Sequence, residues 1–169
     1  MSLKFIELKQ ASYKNDEDVK FCMDIRNNPA NDKHFFSSKR ITIKMQKDFL
    51  RKENFFYIIL YKNKKAGTIS FHNVAYKDAE FGRFFVLEEY RKSGVALFAL
   101  LKMINKGFKE FGFSLIYWKL VKTNVEMKGL LNTIGLDVCR IETDYIKYTL
   151  INGLLPKKLQ KLFERFVRR

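Results

Sequence analysis

The sequence predicts an α+β domain in which helices cover the faces of a mixed β-sheet, in the order β-α-α-β-β-β-α-β-α-β-β. Three observations support this class. In residues 54–88, aromatic and β-branched runs follow one another with only short turns between them, which is typical of an antiparallel meander. Further on, strands alternate with helices, and parallel pairing needs such crossovers. The 169 residues are enough for one domain with a sizeable core.

The first part of the chain predicts one strand followed by two helices. Residues 3–11 alternate loosely between apolar and polar side chains, which favours a strand. Residues 16–27 carry acidic side chains in their first turn, and Asn15 is the expected N-cap. The segment NNPAND then ends this helix, and Thr42 is expected to cap a second helix over IKMQKDFLRKE.

The remaining elements complete a domain that we expect to span residues 1–151. Three extended runs, NFFYIILYK, GTISFHNVAY and EFGRFFVLE, are joined by the predicted turns NKKAG and YKDA. Residues 93–111 repeat apolar side chains at helical spacing, and Gly112 is expected to end that helix. The strand SLIYWKLVK, the short helix NVEMKGLLNTIG and the strands LDVCRIET and DYIKYTLI follow.

Residues 152–169 predict a basic amphipathic C-terminal helix. Its apolar residues recur at three- and four-residue steps, and lysines and arginines occupy the other side. Two interpretations remain open at this point. The apolar side packs on the domain or on a second copy in a homodimer, or it lies on anionic lipid as a peripheral membrane contact.

The composition of the chain favours some kinds of partner and disfavours metal sites and membrane spans. The net charge of +15 favours anionic partners such as nucleotides, nucleic acid or acidic lipid. Cys22 and Cys139 lie far apart, which fits a reducing cytoplasm, and with two histidines they show no metal-ligand spacing, so no metal site is expected. No apolar run reaches the roughly 18 residues that a membrane span needs.

The turn RKSGVA, residues 91–96, lies where a strand gives way to the strongest helix. A helix N-terminus offers unpaired N–H groups and partial positive charge, and Gly94 allows a close approach of the backbone to a ligand. Arg91 and Lys92 add mobile positive charge. The turn therefore predicts a phosphate site, with an ordinary loop and solvated cations as the alternative.

The pattern Arg-x-x-Gly-x-Ala in this turn resembles the acetyl-coenzyme A signature of the GNAT acetyltransferases, and the predicted element order over residues 3–151 is also similar to that family. The resemblance implies that the turn amides hold the coenzyme pyrophosphate and that the preceding strand pairs with pantetheine. It also implies that the N–H near Val86 polarises the thioester carbonyl. The positions that it assigns to acetyl-coenzyme A are Phe84, Phe85, Val86, Leu87, Arg91, Lys92, Ser93, Gly94, Val95, Ala96 and Asn124.

A narrower resemblance concerns the acceptor. The segments DIRNNP, ITIKMQKDFL, AEFGRFFV and KTNVEMKGLLNTIGL look like bacterial N-acetyltransferases that modify nucleotide-linked amino sugars in surface glycan synthesis, of the pseudaminic acid type. This resemblance implies that Arg26 and Asn27 lie at the acceptor site. Lys33, His34 and Arg40 are candidates for contacting a nucleotide diphosphate, with a solvated basic loop as the alternative.

Acetyl transfer to an amine needs a base for the acceptor ammonium. Glu80 is the first candidate, because period-two alternation places it on the strand face of Gly82, Phe84 and Val86, and some GNAT enzymes place a glutamate base at this depth. Apolar surroundings predict a pKa raised toward neutrality. The alternative is a surface carboxylate that pairs with Arg83 or a lysine.

His72, on the neighbouring predicted strand, is the second catalytic candidate, although a single strand histidine is more often structural. Many relatives carry a tyrosine seven residues after the position of Asn124, as acid for the leaving thiolate, and here that position is Leu131. Solvent, Tyr145 or Tyr148 would then protonate the thiolate, or the chain is a non-catalytic relative.

The leading hypothesis is a cytoplasmic, acetyl-coenzyme A-dependent N-acetyltransferase that acts on a small amine, and the narrower resemblance favours a nucleotide-linked amino sugar. A protein N-terminus, as in ribosomal-protein acetyltransferases, is an alternative acceptor that would suit the positive charge. A non-catalytic module that binds nucleic acid or coenzyme A is a third possibility. Nucleic acid is disfavoured because the aromatic residues lie at core spacing rather than in a recognised binding motif.

Overall fold

A computed structural model describes residues 5–34 and 39–166 and confirms the predicted α+β architecture. The strands are β1 (Ile6–Gln10), β2 (Phe56–Tyr61), β3 (Lys64–Ala75), β4 (Asp78–Val86), β5 (Leu115–Val121), β6 (Val138–Ile141) and β7 (Tyr145–Ile151). The helices are α1 (Asp16–Asn27), α2 (Ile43–Lys52), α3 (Val95–Lys109), α4 (Val125–Thr133) and α5 (Lys157–Phe166), with 3₁₀ segments at Pro29–His34 and Glu88–Tyr90.

One mixed sheet contains all seven described strands, in the order β1-β2-β3-β4-β5-β7-β6. Strands β2, β3 and β4 form the antiparallel meander that the short turns predict, and β1 adds antiparallel to β2. Strand β5 pairs with β4 in parallel, after the crossover through α3, and β7 then adds antiparallel to β5. The single parallel pair lies near the middle of the sheet, with antiparallel strands on both sides.

Local signals account for most element boundaries. The side chain of Asn15 accepts a hydrogen bond from the Asp18 amide at 3.0 Å, so it caps α1 as predicted. Thr42 caps α2 in the same way, and Gly112 adopts a left-handed φ of 69° beyond α3. The predicted turn NKKAG, residues 63–67, is wrong beyond Asn63. The turn consists of Lys62 and Asn63, with positive φ angles typical of a two-residue hairpin turn, and Lys64 already belongs to β3.

The two faces of the sheet differ in how they are covered. We call the face under α3, α4 and α5 the core face, because its side chains form one continuous apolar cluster that includes the fully buried Phe71, Ile104 and Trp118. We call the face under α1 and α2 the cavity face. It carries a much smaller cluster, formed by Ala11, Val19, Cys22, Leu50, Phe56 and Ile58.

A buried carboxylate reinforces the cavity face. Asp18 on α1 is fully buried and lies 3.0 Å from Nζ of Lys9 on β1 and 3.1 Å from Nζ of Lys65 on β3. Burial alone would raise the pKa of Asp18, but the hydrogen bonds from the two lysines outweigh it and the pKa is lowered. This ionised group therefore ties α1 to two strands where apolar packing is sparse.

Helix α5 packs its apolar side on the core face. Leu159 is fully buried in the main cluster, and the ring of Phe166 lies 5.1 Å from that of Phe98 on α3. Burial of a leucine side chain contributes about 1.5–3 kcal/mol. The domain thus accounts for the apolar side of this helix, whereas contact with lipid or with a second copy stays a prediction. Among the described residues, no helix is long and apolar enough to cross a bilayer.

Candidate active site

The two parallel strands part in the middle of the sheet. Pairing between β4 and β5 ends at Glu80 and Tyr117, although β4 continues to Val86 and β5 to Val121. A gap therefore opens beyond Glu80, and the β4 backbone that borders it pairs with none of the described strands on that side. Such an edge can pair with an extended ligand. This is the segment that the sequence predicts for pantetheine, except that the N–H of Leu87 already donates to Ala66 of β3 at 2.9 Å.

A β-bulge at Arg83 changes which way the side chains of β4 point. Two residues of β4 lie opposite one of β3 here, and Arg83 has a φ of 47°. The predicted alternation is therefore wrong beyond Gly82. Phe84 packs against Phe81 on the core face, with ring centroids 5.7 Å apart, and does not share the face of Glu80. Val86 also contacts the core cluster.

Glu80 lies at the apex of this gap, on the cavity face, with partners from two neighbouring strands. Its Oε1 is 3.4 Å from Nε2 of His72, while its Oε2 accepts a hydrogen bond from Asn73 at 2.9 Å and lies 3.5 Å from Nζ of Lys119. Adjacent residues of a regular strand point to opposite faces. An irregularity in β3, with a φ of 47° at Asn73, lets His72 and Asn73 both reach this carboxylate.

These partners determine the charge of Glu80. Burial alone would raise its pKa, but the hydrogen bonds from His72 and Asn73, together with the charges of His72 and Lys119, lower it to about 2. The expectation that apolar surroundings raise this pKa toward neutrality is therefore wrong, because polar side chains surround the carboxylate. An ionised carboxylate with so low a pKa is a weak base and a good partner for a cation.

The imidazole of His72 lies between Glu80 and the backbone of Gly82. Its Nε2 faces the carboxylate, and its Nδ1 is buried without a hydrogen-bond partner in the part of the chain that the structure describes. A Cβ at Gly82 would lie 2.4 Å from Cε1 and 3.3 Å from Nδ1 of His72. The missing side chain at Gly82 therefore lets the imidazole lie against the strand where the gap begins.

Tyr117 is a site residue that the sequence analysis missed. It lies opposite Glu80 in the last parallel pair, and burial together with Glu80, through its charge and a hydrogen bond, raises the pKa of its phenol. Lys147 of β7 lies 5.1 Å from the centre of its ring. Period-two alternation within LIYWKLV, which places Leu115, Tyr117 and Lys119 on one face, is the signal that could have identified it.

Gly94 and the start of α3 form the turn for which the sequence predicts a phosphate site. Gly94 adopts a left-handed conformation with a φ of 83°, and α3 begins at Val95 without a side-chain cap. The first amides of α3 are thus not capped by a side chain and can bind an anion. Val95 itself is fully buried, so its side chain anchors the turn in the core.

The residues around this turn differ in solvent exposure. Arg91, Lys92 and Ser93 are exposed, and Ala96 is half-buried. The side chain of Arg91 reaches back to the carbonyl of Val86 at 3.4 Å. An uncapped left-handed turn next to an unpaired strand edge fits a long ligand that carries both phosphates and amides, as acetyl-coenzyme A does.

The far side of the gap carries Asn124 at the end of β5. Its side-chain oxygen accepts a hydrogen bond from Met127 at 3.0 Å and caps α4, which leaves its amide nitrogen as the group that can donate to a ligand. Leu131 is fully buried in the main core and offers no proton. Tyr148 is also in the core, where burial raises its pKa, whereas Tyr145 is half-buried on the opposite face of the sheet.

The predicted acceptor residues separate into different roles. Arg26 lines a cavity beneath α1 and α2, but both polar atoms of the Asn27 side chain bond the backbone of Ile41, at 2.8 and 2.9 Å. Asn27 therefore closes the loop between the helices and does not line the cavity. Arg40 forms a bidentate pair with Asp32, at 2.6 and 2.8 Å. The side chains of Lys33 and His34 lie outside the described part of the structure.

The cavity itself has a volume of about 430 Å³ and lies between α1, α2 and the sheet. Its walls are largely apolar and include Ile25, Met45, Phe49, Phe56 and Phe85. Arg83 and Phe85 belong to the part of β4 beyond its last pairing with β5, so the cavity adjoins the gap between the strands. A ligand in the cavity would lie next to a ligand in the gap.

The mixed sheet with its two parted parallel strands is the fold of an acyl-group transferase. The model of the Acetyltransferase (GNAT) family matches residues 19–135, and the chain belongs to this family. It is therefore an acetyltransferase, and the family uses acetyl-coenzyme A as the acetyl donor.

Solved structures of this family share the fold over nearly the whole chain. A nucleotide-linked sugar GNAT, FdhC in its apo form, is 19% identical with a TM-score of 0.76, over 97% of this chain and 94% of that one. Spermidine N-acetyltransferase from Vibrio cholerae, in complex with coenzyme A and spermine, is 14% identical with a TM-score of 0.75, over 89% and 97%. The Campylobacter jejuni N-acetyltransferase PseH is 16% identical with a TM-score of 0.67, over 87% and 98%. No curated protein matches the chain.

Proposed function

We propose that this acetyltransferase transfers the acetyl group of acetyl-coenzyme A to the amine of a nucleotide-linked amino sugar. The observation that carries the proposal is the gap between β4 and β5, with the Glu80–His72 pair at its apex and a cavity lined by arginine beside it. The similarity in fold to a nucleotide-linked sugar GNAT supports the acceptor class.

Binding of acetyl-coenzyme A uses the backbone more than the side chains. The amides at the start of α3 bind the pyrophosphate, and Arg91 and Lys92 add positive charge from outside. The unpaired edge of β4, from Phe84 to Val86, pairs with the pantetheine, and Asn124 donates from the other side of the gap. When bound, the coenzyme supplies the acetyl group as a thioester.

The base is a histidine held by a carboxylate. Nδ1 of His72 accepts the proton of the acceptor ammonium, because this atom has no other hydrogen-bond partner in the described residues and lies against Gly82, two residues beyond the last pair of β4 with β5. Glu80 fixes the ring through Nε2 and stabilises the imidazolium that forms. This assignment reverses the order of the two sequence candidates, because a carboxylate with a pKa of about 2 is the weaker proton acceptor.

The leaving thiolate needs no dedicated donor from α4. Leu131 occupies the position at which many relatives carry a tyrosine that protonates the thiolate, and it is fully buried in the core. A thiolate is a tolerable leaving group, so solvent at the open end of the gap suffices to protonate it. The leucine therefore does not argue against turnover.

Direct measurement of coenzyme A binding tests the first half of the proposal. Coenzyme A at 100 times its Kd should stabilise the fold by about 2.7 kcal/mol. Gly94→Glu places a carboxylate at the phosphate turn and should raise the Kd at least tenfold. Gly153→Glu is the matched control, because Gly153 also has a left-handed φ, of 90°, and open space around it. Equal coenzyme affinity in both variants would refute the assignment of the turn.

Mass spectrometry of product mixtures tests the second half. The protein is incubated with acetyl-coenzyme A and separately with a uridine diphosphate-linked amino sugar, spermidine and a peptide with a free N-terminus. We expect acetylation of the amino sugar at a rate at least tenfold above the others. Preferred acetylation of the peptide or of spermidine would reject the sugar acceptor and leave the acetyltransferase activity intact.

A further inference from the structure

Arg83 occupies an unusual position for a charged side chain. The bulge in β4 directs it into the cavity under α1 and α2, where its guanidinium lies over the ring of Phe49 at 4.3 Å. The nearest carboxylate oxygen, Oε1 of Glu53, is 3.7 Å from Nη1, which is too far for a hydrogen bond. Nη1 is buried and has no hydrogen-bond partner in the described residues.

The surroundings of Arg83 leave positive charge in excess. Burial lowers the pKa of Arg83, and the nearby charge of Arg26, which lines the same cavity, lowers it further. Glu53 and Glu80 act in the opposite direction. Glu80 is shared with His72 and Lys119, and Asp32, whose charge acts on Arg26, forms a bidentate pair with Arg40. A buried donor without a partner is costly, and an incoming acceptor group of opposite charge would remove that cost.

We propose that Arg83 binds a phosphate group of the acceptor, and that the enzyme selects amines that carry a phosphate close to the reacting nitrogen. This inference rests on the proposed function, because it places the acceptor in the cavity. A guanidinium presents paired N–H donors that match phosphate oxygens, and its stacking on Phe49 fixes their plane. Arg83 follows Glu80 by three residues, so phosphate and amine lie within one small molecule.

The same geometry disfavours polyamines. A polyamine would bring additional positive charge into a cavity that already contains Arg26 and Arg83. Like charges repel one another, and the largely apolar walls of the cavity offer them few compensating partners. The similarity in fold to spermidine N-acetyltransferase thus does not extend to the charge that this cavity accepts.

Steady-state kinetics with matched amines tests the inference. Glucosamine 6-phosphate, glucosamine and spermidine are compared as acceptors for the native chain, Arg83→Gln, Arg83→Lys and the control Arg51→Gln. Arg51 is an exposed arginine on α2 that pairs with Asp48, so its removal changes the net charge equally. We expect kcat/KM at least tenfold higher for glucosamine 6-phosphate than for glucosamine, with spermidine poorest.

The variants should separate binding from chemistry. Arg83→Gln should remove the preference for the phosphorylated amine through KM, and Arg83→Lys should retain part of the preference. Arg51→Gln should behave as the native chain. A preference that survives in Arg83→Gln, or a native preference for spermidine, would overturn the inference.

Binding without turnover gives an independent measurement. The protein is saturated with coenzyme A, so that its phosphate turn is filled, and is then titrated with uridine diphosphate by calorimetry. Arg83→Gln should weaken this second binding at least tenfold while its affinity for coenzyme A stays unchanged. If both proteins bind uridine diphosphate with equal affinity, or if the native chain does not bind it, the role of Arg83 is refuted while the proposed function stands. Failure of the native chain to bind coenzyme A would refute the proposed function instead.

Discussion

The core face and the cavity face of the sheet differ in packing: one is covered by apolar side chains, and the other surrounds a cavity and ionised groups. On the core face, α3, α4 and α5 cover the strands with a continuous apolar cluster. On the cavity face, α1 and α2 cover a small cluster and leave a cavity of about 430 Å³, with ionised groups held in partnerships. Neighbouring residues of one strand serve both faces: Phe81 belongs to the core, and Glu80 belongs to the site.

This difference shows how the fold separates stability from chemistry. A buried carboxylate needs partners, and the cavity face supplies Glu80 with partners from the two neighbouring strands, β3 and β5. The core face contributes the burial that keeps these strands in place. Substitutions on the two faces should therefore affect different measurements.

The largest effect is expected from His72→Ala on the cavity face. If His72 is the base, kcat should fall by roughly 10²–10⁴. The fold should survive, because Glu80 keeps Asn73 and Lys119 as partners. Steady-state kinetics measures the loss, and Val74→Ala, at an exposed residue of the same strand, is the control.

The double variant of His72 and Glu80 sharpens this test. Residues that act as a unit show strongly non-additive losses. Glu80→Gln combined with His72→Ala should therefore reduce kcat no further than His72→Ala alone. An unchanged kcat in His72→Ala would eliminate the imidazole as base, and additive losses would mean that the two residues act separately.

On the core face, Leu159→Ala should mainly affect stability. Leu159 is fully buried, and removal of such a side chain costs about 2–5 kcal/mol in the free energy of unfolding. The matched control is Leu154→Ala, at a leucine that is 73% exposed, where the change should stay within about 0.5 kcal/mol. Urea unfolding measures both. Equal costs would show that α5 does not pack on the domain, and a loss of kcat in folded Leu159→Ala would break the separation of the faces.

The stability that Glu80 contributes should depend on pH in one direction. Its folded pKa of about 2 lies below its ordinary value of 4.5, so the contribution is complete above about pH 5 and is lost as pH falls toward 2. Urea unfolding of the native chain and of Glu80→Gln should differ by at most about 3 kcal/mol near neutral pH, and the difference should shrink below pH 4. A difference that grows on acidification would contradict the lowered pKa.

The smallest effect is expected from Gly82→Ala. The new methyl group would meet His72, whose Cε1 would lie 2.4 Å away, and should displace the imidazole from Glu80. We expect kcat to fall about tenfold, since a misplaced base transfers protons less well. Gly129→Ala on α4 is the control, because nothing lies within 4 Å of its added Cβ, and a helical alanine stabilises by about 0.5–1 kcal/mol. Equal kcat in both variants would show that the position of His72 is not critical.

Sequence patterns predicted the parts of this molecule that local rules control. The caps at Asn15 and Thr42 and the left-handed glycine beyond α3, Gly112, each depend on residues within one turn, and the structure confirms them, although α3 itself ends at Lys109. The order of the elements followed from periodicity and turn length. The resemblance to a family predicted that β4 separates from its neighbour, and the pairing of β4 with β5 does end at Glu80.

The rest required contacts between distant residues. The pKa of Glu80 depends on Asn73, on His72 and on Lys119, which comes from a strand almost forty residues later in the chain. Asn27 was predicted to be an acceptor residue, but its side chain forms hydrogen bonds with Ile41, 14 residues later in the chain, and no local sequence pattern indicates such a contact. The bulge at Arg83 could not be predicted either, because alternation within one strand does not reveal the register of its partner.

That bulge has a consequence for comparing this chain with distant homologues. A strand that contains a bulge can be aligned to an ordinary strand without any gap. Beyond the bulge, the aligned residues then point to opposite faces of the sheet. In such an alignment Arg83 would be equated with a residue buried under α3, and Phe84 with one that faces the substrate. Substrate specificity inferred column by column would be misassigned from this position to the end of β4. Superposition of coordinates is the sounder way to transfer specificity between members that differ here.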